Sequence, residues 1–414
     1  MLARARTSSH HLSKNLPISN NAIRASLPCA TRNTTLSVTA FRSNLAFVRA
    51  MSTSIPEKMK CILIKDGKGP AENLYMGEEK IPSLEAGQVL VKVRAFGLNR
   101  MDIMQREGKY PLPPQASKTI MGVEFSGEIV RTSDGELKSY NGEQWKEGDE
   151  VFGLAYGGAY AEYIAISSKM IIRKPSRLSW VEAAGIPENW MTAFQALFLE
   201  GGFKKGENVL VHAGASGVGV AANQLAVAFG ADKVFTTAGT KDKVEFLNKL
   251  SGGKIHPINY KEQNFEEEVK KVDEKGVDLV IDFGKNIGLP LDVMGIGFVV
   301  GPDYWNKNLN LLRQDGRMVI LAFLSGLTLP EKSLFAPLLF KRLTIKGTTL
   351  RSRSPEYQGE LLGRFEKEAL PMIGGEDSSM KVSVHEVFPW DKIQEAHKEM
   401  EGNKNSGKIV LEIK

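Results

Sequence analysis

A glycine-rich turn between an apolar strand and a helix carries the strongest chemical signal in the sequence. The segment reads Val209-Leu-Val-His-Ala-Gly-Ala-Ser-Gly-Val-Gly-Val-Ala-Ala-Asn-Gln-Leu-Ala226 and contains Gly214, Gly217 and Gly219. Glycines at this spacing let the backbone turn sharply, and they let a phosphate approach the helix N-terminus, where unpaired N–H groups and the helix dipole attract an anion. A second strand follows near 233–237, so the context predicts a dinucleotide pocket.

The end of that second strand indicates which dinucleotide is bound. An NAD site commonly has Asp or Glu about 20 residues after the glycines, where it binds the ribose 2′-hydroxyl. Here the segment Thr237-Ala-Gly-Thr-Lys-Asp-Lys243 has no carboxylate at the strand end and offers Gly239, Thr240 and Lys243. Cations and small hydroxyls suit a 2′-phosphate, so we expect NADPH. Lys241 is more simply explained as a solvated residue of the first helical turn.

Around this turn the hydrophobic pattern predicts an α/β protein with two kinds of lobe. Strand-like runs punctuated by Gly and Pro fill residues 57–180 and predict a β-rich, barrel-like domain. After a helical stretch over 180–200, strands near 208–213, 233–237, 277–282 and 316–321 alternate with helices near 217–229, 241–250, 263–274 and 305–313. This alternation predicts a doubly wound parallel sheet of the Rossmann type. The chain then returns to the first lobe, and a ligand is expected between the lobes.

Charge and cysteine content exclude several classes of protein. Residues 1–50 contain seven basic residues and no acid, and removing them leaves 47 basic against 48 acidic residues in the body. This nearly neutral body, without a basic stripe, argues against nucleic-acid binding. No apolar run is long enough for a membrane span. The two cysteines, Cys29 and Cys61, cannot form a disulfide framework or a cysteine zinc cluster.

The first 50 residues have the composition of a mitochondrial transit peptide. They are rich in Arg, Ser, Thr and Asn and lack acids. We therefore expect a mitochondrial matrix protein. Two alternatives stay open. The stretch could be a disordered tail without a targeting function, or a cytoplasmic product could start at Met51.

Several separated motifs resemble the medium-chain dehydrogenase/reductase superfamily, and within it the zinc-free NADPH quinone oxidoreductases of the p53-inducible type. The likeness covers nearly all of residues 58–414. The motifs are the glycine turn, Asn99-Arg-Met-Asp-Ile-Met-Gln-Arg-Glu-Gly-Lys-Tyr110, Leu350-Arg-Ser-Arg353 and Gln394-Glu-Ala-His-Lys-Glu-Met-Glu-Gly-Asn-Lys-Asn-Ser-Gly-Lys-Ile-Val-Leu411.

This resemblance implies a domain order. It implies a GroES-like β-rich catalytic domain over residues 51–183, a Rossmann NADPH-binding domain over 184–343 and a return to the catalytic domain over 344–414. A homodimer is implied in the same way.

The resemblance also implies roles for particular side chains. Asn99 and Tyr110 would line the substrate cleft, Tyr110 as a phenol donor with an aromatic face and Asn99 as an amide donor. Asn99 could equally cap the next helix, and Tyr110 could be a turn residue. The remaining residues would contact the cofactor: Ser216 and Val218 at the pyrophosphate, Tyr260 at the adenine-side phosphate, Phe323 with its neighbours at the nicotinamide amide, and Asn403 as a closing residue.

The same resemblance bears on metal. Zinc enzymes of the superfamily have metal-binding Cys and His where Asn99 and Val123 lie, and neither of these residues suits zinc. We expect chemistry without a metal. Glu124 occupies the position of a structural acid, for which an ion pair with a buried Arg and a catalytic role are both open.

One segment does not fit the family pattern. About sixteen residues, Lys285 to Val300, separate the strand near 277–282 from Gly-Pro-Asp-Tyr-Trp, and this segment is largely apolar with few charges. We interpret residues 285–300 as a retained intron in the gene sequence, because the codons at both ends can contain splice-like signals. The alternative is a genuine lid or oligomer loop. Sequencing the mature transcript decides between them.

The favoured function is transfer of a hydride from NADPH to a small quinone. Reduction of α,β-unsaturated carbonyls such as enoyl thioesters is an alternative, because it needs the same donor. A protein that binds NADPH without turnover is a second alternative. The sequence does not say which quinone is used or whether reduction proceeds by one or two electrons.

Overall fold

A computed structural model describes residues 55–135, 137–283, 302–322, 334–374 and 378–414. The expected leader over 1–50, the suspected insert over 285–300 and Phe323 lie outside the described residues. The strands, in chain order, are β1 Lys58–Ile64, β2 Leu74–Lys80, β3 Gln88–Leu98, β4 Glu124–Thr132, β5 Glu150–Leu154, β6 Tyr163–Ser167, β7 Ile171–Arg173, β8 Asn208–Val211, β9 Lys233–Ala238, β10 His256–Asn259, β11 Val277–Asp282, β12 Leu312–Ile320, β13 Thr344–Gly347, β14 Val384–Pro389 and β15 Lys408–Glu412.

Helices connect these strands and flank the sheets. In chain order they are α1 Arg100–Arg106, α2 Trp180–Ala184, α3 Pro187–Phe194, α4 Gly217–Ala228, α5 Lys241–Ser251, α6 Phe265–Val272, α7 Pro302–Leu311, α8 Ala336–Phe340, α9 Pro355–Glu368 and α10 Ile393–Glu401. The stretch over 180–200 is not one helix. α2 ends before Gly185, and α3 begins at Pro187, whose missing N–H costs nothing in a first helical turn. A π-helical turn, Gln195–Glu200, then closes the segment.

A six-stranded parallel sheet has the order β10-β9-β8-β11-β12-β13. Every residue of its central strand β8 is buried, as expected for a parallel strand covered on both faces. The chain runs from β8 outward to β10 and then starts again beside β8 with β11. This reversal of direction creates the switch point where such sheets bind ligands, and the glycine turn follows β8 directly there.

A second, mixed sheet has the order β14-β15-β3-β4-β5-β7, with β6 paired to β3, while β1 and β2 form a separate antiparallel pair. The last strand, β15, pairs antiparallel with β3. Next to it, the Gly407 N–H donates a 2.9 Å hydrogen bond to the Ala215 carbonyl, which brings the C-terminal segment against the glycine turn. The C-terminal return therefore contacts the glycine turn as well as forming part of the mixed sheet.

The structure confirms the α/β class with a β-rich lobe and a parallel-sheet lobe, and it adds two strands. β10 and β13 are edge strands of the parallel sheet that the hydrophobic pattern does not predict, because neither is an apolar, fully buried run such as β8. β13 pairs with β12 and starts at Thr344, so the chain returns to the mixed sheet after this strand and not directly after Leu343. In the described residues, no helix is long and apolar enough to cross a membrane.

Candidate active site

The glycine turn owes its shape to close packing. A Cβ at Gly214 would overlap Thr236 Oγ1, one at Gly217 would overlap the Asn189 amide, and one at Gly219 would overlap the Ala213 carbonyl. The left-handed backbone conformation in this turn belongs instead to Ala213, with φ of 47°. All three glycines are therefore fixed by neighbours that leave no room for a side chain.

The helix that follows the turn begins with a capped first turn. Ser216 is the N-cap residue of α4, and its Oγ accepts a 3.1 Å hydrogen bond from the Gly219 N–H. Val218, in the first helical turn, is half-buried. The first-turn N–H groups that lack helical partners lie at the carboxyl edge of the parallel sheet, where an anionic phosphate is stabilised.

Three cations gather where the second strand ends. Lys243, Arg100 and Lys261 lie close enough for Arg100 and Lys261 to help lower the pKa of Lys243, after the larger effect of burial. Among the described residues, none of the three makes an ion pair with an acid. Arg100 comes from the other lobe and was not predicted as a site residue. Burial lowers the pKa of Arg100, and Glu401 and Glu107 lie close enough to oppose that larger effect by raising it. A group of cations of this kind suits an anion such as a phosphate.

Asn403 accepts hydrogen bonds from two of these cations. Its backbone carbonyl accepts a 2.8 Å hydrogen bond from Lys243 Nζ, and its Oδ1 accepts one of 2.5 Å from Arg100 Nη2. The backbone of Asn403 is left-handed, with φ of 52°. Asn403 thus joins the two lobes at the cationic cluster.

The other predicted cofactor residues lie beside the cluster. A Cβ at Gly239 would lie 2.5 Å from the Tyr260 hydroxyl, so the phenol packs directly on that glycine. Thr240 caps α5, with its Oγ1 accepting from the Lys243 N–H at 3.3 Å. Lys241 is 77% exposed and pairs with Glu262 at 3.9 Å, in agreement with its interpretation as a solvated residue.

Asn99 sits on a buried ion pair. Its Oδ1 accepts a 2.7 Å hydrogen bond from Lys408 Nζ, and its Nδ2 donates one of 2.7 Å to Glu124 Oε1. Lys408 and Glu124 also form a direct ion pair, with side chains 3% and 0% exposed. The partner of Glu124 is therefore a lysine and not the arginine considered from the sequence. Asn99 is also the N-cap residue of α1, as one of its two expected roles requires, and its place in the substrate cleft stays a prediction.

Tyr110 lies against a buried cation. The Arg351 guanidinium is 5.4 Å from the centre of the Tyr110 ring, and Arg351 itself is 3% exposed. Arg351 is held by the Tyr156 carbonyl and by Gln105 Oε1, without an acidic partner among the described residues. Burial raises the pKa of Tyr110, and the Glu188 carboxyl adds to the effect. The phenol therefore keeps its proton at neutral pH.

Glu188 is a second titratable group in this part of the molecule. It is half-buried in the first turn of α3, and its backbone N–H donates a 2.8 Å hydrogen bond to Glu124 Oε2. Burial, followed by the Glu124 charge, raises the pKa of Glu188 to about 8. The sequence analysis missed this residue, together with Arg100, Lys261, Arg351 and Lys408. The only sequence signal was its place directly after Pro187 at a helix start, where acids are common.

Family models match both lobes. The alcohol dehydrogenase GroES-like domain matches residues 85–176, and two models described as zinc-binding dehydrogenase match residues 217–288 and 253–411.

The second description raises the question of a zinc site, and the residues present do not fit one. Lys408 Nζ lies between Asn99 and Glu124, and an ammonium would repel a cation there. Within the described residues the one cysteine, Cys61, is buried in β1. The described residues also contain one group of side chains of the kinds that bind metals, which is His385, Glu386 and Glu399. However, both ring nitrogens of its histidine are used, at 3.2 Å to Glu399 and at 3.4 Å to the Ser406 N–H.

Similar proteins agree on one family. The chain is 30% identical to a quinone oxidoreductase of Lama guanicoe, over 86% of this chain and 98% of that protein. It is 30% identical to the human synaptic vesicle membrane protein VAT-1 homolog, over 80% of each. The solved CurK enoyl reductase superimposes with a TM-score of 0.68 at 26% identity, over 87% of this chain and 100% of that chain. The chain belongs to the medium-chain dehydrogenase/reductase superfamily, in its zinc-free quinone oxidoreductase type.

Proposed function

We propose that this protein is an NADPH-dependent quinone oxidoreductase that works without a metal and transfers a hydride from NADPH to small quinones. The family supports an oxidoreductase with a nicotinamide cofactor. The observation that carries the choice of NADPH is the group of Arg100, Lys243 and Lys261 near the end of β9, none of which forms an ion pair with a described acid. A 2′-phosphate carries close to two negative charges and would meet that need.

The residues around the glycine turn fit such a cofactor. A pyrophosphate would lie at the N-terminus of α4, next to Ser216 and Val218, where the glycines carry no side chain to obstruct it. Tyr260, Gly239 and Thr240 would border the adenosine ribose, with Lys243 and Asn403 at its phosphate. When bound, the reduced nicotinamide supplies a hydride.

The rest of the cleft would position the acceptor. Tyr110 offers an O–H donor because its raised pKa keeps the phenol protonated, and the cation–π contact with Arg351 fixes the ring. Asn99 retains one amide N–H beyond the hydrogen bond to Glu124. Such preformed donors lower the barrier by orienting the quinone and by excluding bulk water.

The direct test is turnover by the full-length protein. We expect NADPH to be oxidised when a benzoquinone is added. The loss of the absorbance of the reduced nicotinamide measures this oxidation. A crotonyl thioester is the comparison substrate, because the similarity to an enoyl reductase makes enoyl reduction the second candidate function. Faster reduction of the thioester would select that candidate. Tight NADPH binding without turnover on either substrate would contradict both enzyme functions.

We also propose a homodimer. The edge strand β13 has no neighbour on its outer side within the described residues, and Leu339 and Phe340 in the adjacent α8 are each 74% exposed. A second copy that paired with this edge would cover both features. We expect Phe340→Glu to convert a dimer into a monomer in light scattering, and a wild-type monomer would contradict the proposal.

For location we propose the mitochondrial matrix, directed by residues 1–50, with a cytoplasmic product from Met51 as the alternative. The support is compositional, since this stretch carries seven basic residues and no acid. A fluorescent reporter fused to residues 1–50 should accumulate in mitochondria. A diffuse cytosolic signal would contradict import.

A further inference from the structure

Glu188 occupies a position between the two parts of the candidate site. Its neighbour Asn189 packs on Gly217 of the glycine turn. On the other side, the Glu188 N–H is bonded to Glu124, which contacts Asn99 and Lys408. Glu188 therefore belongs to the segment that links the glycine turn with the cluster of Asn99, Glu124 and Lys408.

The Glu188 carboxyl has no fixed partner. Among the described residues it makes no hydrogen bond and no ion pair, although it is half-buried. Other acids of the site are engaged, since Glu124 is paired with Lys408, and Asp102 accepts a 2.8 Å hydrogen bond from the Asn99 N–H. A partly desolvated carboxyl without a hydrogen-bond partner in the protein is available to bond a ligand.

The surrounding charges favour the protonated form of Glu188. Burial raises its pKa most, then Glu124, while Lys408 and Arg351 oppose the shift and Asp102 adds to it. Tyr110 lies close enough for the Glu188 charge to raise the pKa of its phenol. With a pKa of about 8, the carboxyl is mostly protonated at neutral pH and can give up its proton close to that pH, as an efficient general acid must.

We propose that Glu188 is the general acid that delivers the proton to the reduced quinone, an assignment that rests on the proposed function. A hydride supplied by bound NADPH, with its electron pair, would convert the quinone into the hydroquinone monoanion. The O–H bond of Glu188 breaks, its proton forms an O–H bond on the anionic oxygen, and the hydroquinone is complete. The resulting carboxylate takes a proton from water at its exposed edge.

The test compares Glu188→Gln and Glu188→Asp with a matched control, Glu356→Gln. Glu356 also follows a proline in the first turn of a helix, but its side chain is 70% exposed. We expect Glu188→Gln to lower kcat for a benzoquinone by about 100-fold, a typical contribution of a general acid. Its affinity for NADPH should stay within about twofold, which shows that the site is folded. Glu188→Asp should recover part of the rate, and Glu356→Gln should leave it unchanged.

Two readouts separate proton donation from a structural role. The wild-type kcat should fall as pH rises through about 8, and this step should vanish in Glu188→Gln. Independently of turnover, the infrared difference between wild type and Glu188→Gln should contain a protonated carboxyl band at pH 7 that is lost at pH 10.

Two results would overturn the assignment alone, in a wild type that reduces quinones: a Glu188→Gln rate within twofold of wild type with the same pH profile, or no protonated band at pH 7. Absence of wild-type turnover on every quinone would overturn the proposed function and this assignment with it, even with the infrared band present.

Discussion

Lys243 Nζ donates a 2.8 Å hydrogen bond to the backbone carbonyl of Asn403, 160 residues away in the chain. The bond joins the first turn of α5, in the parallel-sheet lobe, to the C-terminal segment. It leaves two of the three ammonium protons available for other acceptors. Arg100 bonds the side chain of the same asparagine, so Asn403 contacts two of the three cations in the cluster.

Arg100 should contribute to cofactor choice as much as Lys243 does. In Arg100→Gln we expect the affinity for NADPH to fall about tenfold, since a charged hydrogen bond to phosphate contributes roughly 1.5–3 kcal/mol. The affinity for NADH should stay within about twofold. Fluorescence titration with both nucleotides measures the change, with Lys241→Gln as the exposed control. An equal loss of both nucleotides would remove Arg100 from the phosphate site.

The glycine turn should not accept even one methyl group. Gly214→Ala would force a Cβ into Thr236, and overpacking of this kind typically costs about 1–3 kcal/mol. Gly347→Ala is the matched control, because no atom lies within 4 Å of its Cβ position and its φ is ordinary. Urea unfolding should show a clear loss for Gly214→Ala only. Equal stability of the two variants would mean that packing does not fix this glycine.

Replacing one member of the buried pair Lys408–Glu124 should destabilise the protein more than replacing both members. Lys408→Met leaves a buried carboxylate without its ammonium, and we expect a loss of about 3–5 kcal/mol in the free energy of unfolding. The double variant Lys408→Met with Glu124→Gln should recover part of that loss, because no isolated charge remains. The exposed pair Lys270–Glu266 serves as control, with Lys270→Met costing less than about 1 kcal/mol. Additive losses at Lys408 and Glu124 would contradict the pairing.

Glu188 should also make stability depend on pH. Its pKa rises from 4.5 to about 8 on folding, so the unfolded chain ionises first as pH increases. The native state is therefore penalised progressively between pH 4.5 and 8, and the full penalty is present above pH 8. The difference in melting temperature between Glu188→Gln and wild type should be a few degrees more favourable to the variant at pH 8.5 than at pH 5. Glu356→Gln should show no such gain. A Glu188→Gln melting difference that is independent of pH would contradict the raised pKa.

Local features of the site are predictable from sequence, whereas its long-range partners are not. The glycine turn, the caps at Ser216 and Thr240 and the position of Lys243 follow from short-range patterns. Arg100 and Lys408 do not, because Arg100 meets Asn403 across 303 residues and Lys408 meets Asn99 across 309. Periodicity identifies the strands β3 and β15 but carries no information that they pair.

The reason for the glycine spacing is also not predictable from the sequence. The sequence predicted glycines that allow a sharp turn, but the left-handed residue is Ala213, and the glycines are required by Thr236 and Asn189. Glu188 was missed because an acid in a first helical turn ordinarily stabilises the helix dipole on the surface. Only the packing of Glu124 behind it shows that this acid is desolvated.

The measurement that tests the central claim most directly is a titration of the full-length protein with NADPH and with NADH, in wild type and in Lys243→Glu. We expect wild type to bind NADPH at least about tenfold more tightly, which is about 1.4 kcal/mol. Lys243→Glu should abolish that preference by weakening NADPH alone, because the new carboxylate repels the 2′-phosphate. Equal weakening of both nucleotides, or no affinity of wild type for either, would contradict a phosphorylated nicotinamide in this cleft.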